Sequence, residues 1–429
     1  MYRWLQRHGW SQSQIAAATG QTQPEVSAIL HGRKVQAYDV LVRIAEGLEI
    51  PPGYMRLSGC IACSGTVEAA ELGEEGDDPM FRRQFLGAVA AVAAGGTMDG
   101  FQRLLPDPVS SVAAVPARVG AIEVAQVREV VTQLRALDRR FGGGAALDAA
   151  RGFAGWAHGM LSARYTEDVA RELRTALTDL QVLIAWSYFD IGRPTAARRH
   201  HLQGLALARD VGDPTLIGQV LDDLTRVSAE CGDPREGVRL SRLGLLATDS
   251  PDTCPAIRAE LHVGEALALA RLADGRGVRE SLSRAEDDLA RVDPDAIPAW
   301  APSATDLLTP GCYTGFCGRV YEELAAHAED RRYAETAVEH AEASLAASEG
   351  NQNWRGVVLV RVSFAAAQLR AGARDEGLRT AHEVVAQAGA LRSARARTRL
   401  THVADAASAY AGHGDADDLR ARVAALTPA

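Results

Sequence analysis

The chain has 429 residues, of which 47% are hydrophobic and only 5% aromatic, and its formal net charge is −9. This length suits two or three domains, and the excess of helix-forming residues predicts an all-α fold. Lys34 is the only lysine, which excludes a Walker A phosphate loop and a pyridoxal Schiff base elsewhere in the chain. HExxH and GxSxG patterns are also absent from the sequence, so we predict a protein that is not an enzyme and needs no cofactor.

Residues 10–34 contain two short apolar-periodic segments on either side of Gly20. Ser11 stands before the first segment as an N-cap. Thr22 stands before the second, and with Glu25 three residues later it forms a capping box. Two capped helices joined by a glycine turn predict a helix-turn-helix, whose second helix enters the major groove of DNA.

The candidate DNA contacts follow from this placement. Glutamine can pair with adenine through two hydrogen bonds, whereas arginine and lysine after the second helix suit phosphate oxygens. The candidate DNA-binding residues are Gln12, Thr22, Gln23, Glu25, Ser27, Arg33 and Lys34. The alternative is an ordinary helical hairpin that has no role in DNA binding.

Residues 2–57 resemble the XRE family of lambda-repressor/Cro-type regulators. The resemblance is carried by SQxQIAxxTG, TxxEVSxIL, the HGRK exit and the following AYDVLVRIAEGLEIPPGYM. It implies binding to a double-stranded DNA operator by a homodimer, since such domains read half-sites about one helical turn apart. YRWLQRHG is shorter than the usual first helix of the family.

The remaining chain divides by composition. Residues 1–58 form the predicted DNA-binding domain, 59–79 an acidic flexible linker, and 80–120 a docking helix with a Pro-punctuated connector. From 121 to 429, turn motifs recur at intervals of about forty residues, which predicts an α-solenoid of helical hairpins. The turn markers are Gly192, Gly232, Gly275, Asp330, Gly372 and Gly414, with the insertion DPDAIPAWAPSATDLLTPG between the third and fourth.

This region is similar to tetratricopeptide repeats with lengthened loops. Combined with the XRE-type domain, the layout resembles the RRNPP group of peptide-responsive regulators. That resemblance implies a concave face that binds a short peptide and alters DNA affinity.

Asparagine and arginine side chains can reach the backbone amides of an extended peptide, so we predict effector contacts among those residues that could face inward. They are Arg226, Asn351, Asn353, Arg355 and Arg361. The alternative assigns the asparagines to a loop cap and the arginines to solvated faces. Tyr313 and Phe316 in the insertion could form a lid, or serve as buried anchors.

We therefore predict a sequence-specific transcription regulator that acts as a homodimer and senses a peptide or small-molecule effector. The sequence has six cysteines but no signal peptide or membrane-spanning segment, which predicts a cytoplasmic protein. The alternative function is a protein-interaction adaptor whose DNA-binding domain is degenerate or a tether, and the short first helix favours it.

Overall fold

The computed structural model describes residues 10–31, 115–309, 311–348 and 353–427, together with Tyr2, Gln6, Val40, Arg43 and Ile44. The chain divides into two compact units, residues 1–78 and residues 79–429. The predicted linker and the predicted docking helix lie outside the described residues and stay predictions. Every helix or strand element within the described residues is a helix, which confirms the all-α class.

In the N-terminal unit, helix α1 spans Gln12–Thr19 and helix α2 spans Gln23–Leu30. The Ser11 hydroxyl oxygen accepts a hydrogen bond from the Gln14 N–H at 3.2 Å, and Gln14 Oε1 accepts one from the Ser11 N–H at 2.8 Å. Gly20 ends α1 in the left-handed conformation, with φ +60°, which glycine adopts at little cost. The predicted N-cap and glycine turn are confirmed.

Helix α2 begins at a second cap. The Thr22 N–H donates to Glu25 Oε2 at 2.7 Å, and the Thr22 hydroxyl donates to the same oxygen at 2.9 Å. Glu25 therefore satisfies a donor at the start of the helix, as the capping-box pattern predicts. The two helices share a small core that contains Tyr2, Ile15, Ala16, Val26 and Ile44.

The second unit, here called the repeat unit, consists of helical hairpins in which a first helix, a turn and a second helix follow one another. Short 3₁₀ turns occur at Gly143–Ala145, Met160–Ser162, Pro294–Ala296 and Ser408–Tyr410. The helix pairs are α3 (Ala121–Phe141) with α4 (Leu147–Gly159), α5 (Glu167–Asp190) with α6 (Pro194–Val211), α7 (Pro214–Glu230) with α8 (Pro234–Ala247), α9 (Pro255–Arg271) with α10 (Gly275–Leu289), α12 (Cys312–Ala328) with α13 (Arg331–Ala347), α14 (Trp354–Arg370) with α15 (Arg374–Gly389), and α16 (Ala394–Ala407) with α17 (Gly414–Leu426); the short α11 (Pro302–Leu307) lies in the insertion.

Each of the last six hairpins turns through a residue with positive φ. These residues are Gly192, Gly232, Ala273, Glu329, Gly372 and Gly412. Ala273 (φ +57°) and Glu329 (φ +52°) adopt a conformation that side chains with a Cβ rarely take. Three of the markers chosen from the sequence, Gly275, Asp330 and Gly414, therefore lie one or two positions after the residue that makes the turn.

The first helices α5, α7 and α9 lie inside the repeat unit, and the second helices α6, α8 and α10 pack against them. Helix α9 is buried continuously from Ala259 to Ala270, whereas α10 buries only one face, which includes Val278 and Leu282. The difference explains the sequence pattern, because a helix that is covered on every side needs small and apolar residues all round. It also places the polar side chains of the first helices in the interior.

The two ends of the repeat unit meet. The Arg392 N–H donates to the Phe141 carbonyl oxygen at 3.0 Å, and the Ser393 hydroxyl donates to Asp190 Oδ1 at 2.8 Å. Helix α14 also packs against α3, and α16 against α5. The predicted solenoid is thus a series of hairpins that closes on itself along this contact, here called the seam.

The Pro-rich insertion folds towards the interior. Ala301 and Ala304 are buried, and Trp300 packs against the same apolar cluster. Tyr313, in the first turn of α12, donates its hydroxyl hydrogen to the Leu282 carbonyl oxygen at 3.2 Å, and it packs with Phe316 against buried side chains. Tyr313 and Phe316 are therefore anchors and not a lid.

Candidate functional site

Helix α2 presents an exposed N-terminal end. Gln23 and Glu25 are exposed, and Ser27 is half-buried. Because Glu25 Oε2 is committed to Thr22, the Glu25 carboxylate first serves to position the helix. Gln23 stands at the first helical position, where a recognition helix reads base edges.

The turn between α1 and α2 is braced by residues that sequence reasoning did not single out. The Tyr2 hydroxyl donates to Gln21, and the Thr19 hydroxyl donates to the Ile15 carbonyl oxygen at 2.7 Å. Arg43 Nη1 donates to the Gly20 carbonyl oxygen at 3.4 Å. Such bracing holds the turn before α2. The Tyr2 and Arg43 contacts join residues 19 and 23 positions apart, which a sequence pattern does not reveal.

The other candidate DNA contacts have mixed outcomes. Gln12 is half-buried at the start of α1 and Thr22 is exposed next to α2. Arg33 and Lys34 lie outside the described residues, so their phosphate contacts stay predictions. The described candidates lie on one compact helix pair, which brings their backbones close together.

The four candidate effector residues that the structure describes contact different partners and do not form one site. Arg361 Nη1 donates to Gln387 Oε1 at 3.2 Å, and Asn353 Oδ1 accepts from the Gly356 N–H at 3.0 Å as the cap of α14. Asn351 lies outside the described residues. The effector assignment therefore stays a prediction, and this cap matches the alternative that the sequence left open for Asn353.

Arg355 lies at the seam. Its guanidinium donates to Asp138 Oδ2 at 2.7 Å and to Asp190 Oδ1 at 3.1 Å. Asp190 is fully buried and also accepts from the Gly143 N–H at 2.8 Å. Charged hydrogen bonds of this kind are stronger than neutral ones, so Arg355 joins the two ends of the repeat unit.

Glu230, at the end of α7, is surrounded by three arginines. Arg319 Nη1 lies 3.0 Å from Glu230 Oε1, Arg399 Nη2 lies 3.0 Å from it, and Arg395 contacts both carboxylate oxygens at 2.6 and 2.9 Å. Burial alone would raise the pKa of Glu230, but the three guanidinium groups hold it well below its usual range. One carboxylate thus ties α7 to α12 and α16.

A cluster of opposite character surrounds Arg226. Its Nη2 lies 2.8 Å from Asp222 Oδ2 and 3.4 Å from Glu260 Oε1, and its guanidinium lies over the Phe316 ring. Asp223 Oδ1 accepts from Trp186 Nε1 at 2.7 Å. Burial, and then the charge of Asp222, raises the pKa of Asp223 to about 7.

These interior carboxylates are not among the residues that the sequence predicts for a site. A usable signal existed: Asp222 and Asp223 stand between apolar residues in QVLDDLT, within a helix that is otherwise typical of a core. Acidic residues are almost never fully buried unless they are paired. Adjacent acids in such a helix therefore indicate an interior polar cluster.

Comparison with known families matches residues 1–55 to a helix-turn-helix family model. No curated protein matches the chain. Within the described residues, none of the helices is long and apolar enough to cross a bilayer. The N-terminal domain is therefore a helix-turn-helix of the XRE type, and an all-α unit of helical hairpins follows it in the chain.

Proposed function

We propose that this protein is a sequence-specific transcription regulator that reads a DNA operator with helix α2. The exposed Gln23, at the start of a helix whose first turn is held by the Thr22–Glu25 pair, carries the proposal. That pair fixes where the helix begins, so the amide of Gln23 has a defined position for pairing with a base edge. Arg33 and Lys34 supply phosphate contacts in this proposal.

Replacing Gln23 with alanine tests the reading of bases. We expect Gln23→Ala to relax the preference at one operator position, at a cost of about 1–3 kcal/mol for the preferred base, because two hydrogen bonds to that base are lost. Lys34→Ala is the matched comparison and should weaken binding to all sequences about equally. Selection from a random DNA library, followed by titration at two salt concentrations, measures both effects.

The opposite pattern would contradict the assignment. If Gln23→Ala weakens every DNA sequence alike, α2 does not read bases through this residue. If the unaltered protein selects no DNA sequence at all, the protein-interaction adaptor becomes the better function. In that case the repeat unit would bind another protein and the N-terminal domain would act as a tether.

We further propose that the regulator is a homodimer that acts in the cytoplasm. Two-fold symmetric operators present half-sites about one helical turn apart, and one small domain of this kind contacts only one half-site. Sedimentation of the full chain, with and without operator DNA, tests the dimer. A monomer on a single half-site would overturn it.

The proposed role of the repeat unit is to sense an effector. Support comes from its interior, where ion pairs join hairpins that are far apart in the chain and a ligand could compete for them. Control of DNA binding requires that the effector bind two conformations of the protein with unequal affinity. The factor by which the effector changes DNA affinity must then equal the factor by which DNA changes effector affinity. The resemblance to tetratricopeptide repeats and to peptide-responsive regulators remains part of this proposal.

A further inference from the structure

A small cavity of about 40 Å³ lies between α3, α5, α7 and the Pro-rich insertion. Two indole side chains and several polar groups line it. The residues that matter here are Trp186, Gln219, Asp223, Trp300 and Ser303. None of them was predicted as a contact of the effector.

Two acceptor atoms in the lining lack a partner. Among the described residues, neither Asp223 Oδ2 nor Gln219 Oε1 has a hydrogen-bond donor. Both side chains are more than nine-tenths buried, with 4% and 7% of their surface exposed. Their other polar atoms are used, since Asp223 Oδ1 accepts from Trp186 and Gln219 Nε2 donates to Ser303 at 2.5 Å. An unpaired buried acceptor is costly, so this arrangement calls for a donor in the cavity.

The charge beside the cavity is unbalanced. The carboxyl groups of Asp222, Asp223 and Glu260 lie around the single guanidinium of Arg226. The other charged side chains that line the cavity, Arg135 and Asp179, form an ion pair with each other. Burial raises the pKa of Asp223 to about 7 and that of Glu260 to about 8, so these acids are partly protonated at neutral pH. A cation beside them would favour their ionised forms and be neutralised by them.

We propose that this cavity binds a primary ammonium group on a short alkyl chain. Asp223 Oδ2 and Gln219 Oε1 accept hydrogen bonds from the ammonium, and the indoles of Trp186 and Trp300 flank it. The indole N–H of Trp186 is committed to Asp223 Oδ1 and Arg395 lies over the Trp186 ring, so the tryptophans shape the cavity and the two acceptors bind the cation. A cavity of this size holds two or three water molecules, so the ammonium group fits together with the one or two methylene groups next to it.

The same features select against other cations. A guanidinium presents a planar fork of five donors, which two acceptors do not satisfy. Magnesium and calcium require about six oxygen ligands, and indole rings provide none. The site is defined by its own contacts and does not depend on the proposed sensor function. The inference rests on that function only in taking the ammonium as part of the effector.

The test uses the full chain labelled with 5-fluorotryptophan, and propylammonium chloride as the probe. The chain has six tryptophans, so fluorine NMR resolves few signals, and the variant Trp300→Phe assigns one of them. We expect the signals of Trp186 and Trp300 to shift with saturation, while those of Trp156 and Trp354 stay constant. Tetramethylammonium and sodium chlorides at equal ionic strength should leave all signals unchanged.

Asp223→Asn is the decisive variant because it keeps an oxygen acceptor for Trp186, removes the charge and replaces the free acceptor oxygen with an NH2 donor. We expect it to weaken propylammonium binding about ten- to a hundredfold, since a charged hydrogen bond is lost. Asp252→Asn, which removes an exposed charge, is the matched control and should bind as the unaltered protein does. Triglycine amide and Nα-acetyl-lysine amide then distinguish a peptide amino terminus from a lysine side chain as the source of the ammonium.

The outcomes separate the site from the function. If propylammonium shifts no tryptophan signal, or if Asp223→Asn binds it undiminished, the site is wrong, whatever the operator titrations show. If the probe binds through Asp223, the site stands. A bound probe that leaves operator affinity unchanged then overturns the sensor role alone.

Discussion

Glu230→Gln is expected to lower the free energy of unfolding by about 3–5 kcal/mol, because it leaves buried arginines without their carboxylate. Arg319, Arg395 and Arg399 all contact Glu230, and none of their side chains is more than 13% exposed. Urea unfolding of the full chain, followed by circular dichroism, measures the loss. Hydrogen exchange should increase in α16, since Arg395 and Arg399 hold that helix to α7.

Two further variants make this result specific. Glu230→Asp keeps the charge and should lose less stability than Glu230→Gln. Glu342→Gln changes an exposed residue of α13 and should lie within about 0.5 kcal/mol of the unaltered protein. A Glu230→Gln protein as stable as the Glu342→Gln protein would show that the three arginines do not depend on this carboxylate.

Asp223→Asn is expected to raise the free energy of unfolding of the free protein, opposite to the effect of Glu230→Gln. Burial and Asp222 raise the pKa of Asp223 from 3.8 to about 7, so the folded state loses stability as pH rises through 7 and the carboxyl group ionises. Asparagine removes that cost. We expect a gain on the order of 2–4 kcal/mol at pH 8 that shrinks towards zero near pH 4.

Unfolding free energies of both proteins between pH 4 and pH 8 test this prediction. Titrating groups away from the cluster affect both proteins alike, so the difference between the two curves reports Asp223 together with its effect on the pKa of neighbouring Glu260. Asp252→Asn again serves as the exposed control, and its difference from the unaltered protein should stay small at every pH. A loss of stability on Asp223→Asn at pH 8 would mean that the ionised carboxylate is favourable where it lies.

Both variants act on the interior of the repeat unit, where the charges are divided. Glu230 lies among arginines, whereas Asp222, Asp223 and Glu260 surround one. A cationic ligand is therefore favoured at the second cluster and disfavoured at the first. This division of charge indicates which charge the effector of the proposed sensor carries, which an open groove of solvated arginines does not.

The sequence by itself determined the features that depend on neighbouring residues. The Ser11 cap, the Gly20 turn and the Thr22–Glu25 pair all join groups within a few positions, so residue type and spacing suffice to predict them. The period of about forty residues likewise follows from alternating helices and turns. The all-α class and the helix-turn-helix were predictable for this reason.

Only the tertiary structure decided which polar side chains face inward and meet. Arg355 contacts Asp138 across 217 positions, and Arg395 contacts Glu230 across 165. Such pairs depend on how far each hairpin rotates relative to the last, and small rotations add up until the ends of the repeat unit touch. Trp300 of the insertion and Asp223 likewise line one cavity only in the folded chain. A repeat pattern specifies each hairpin but not the curvature that brings distant hairpins together.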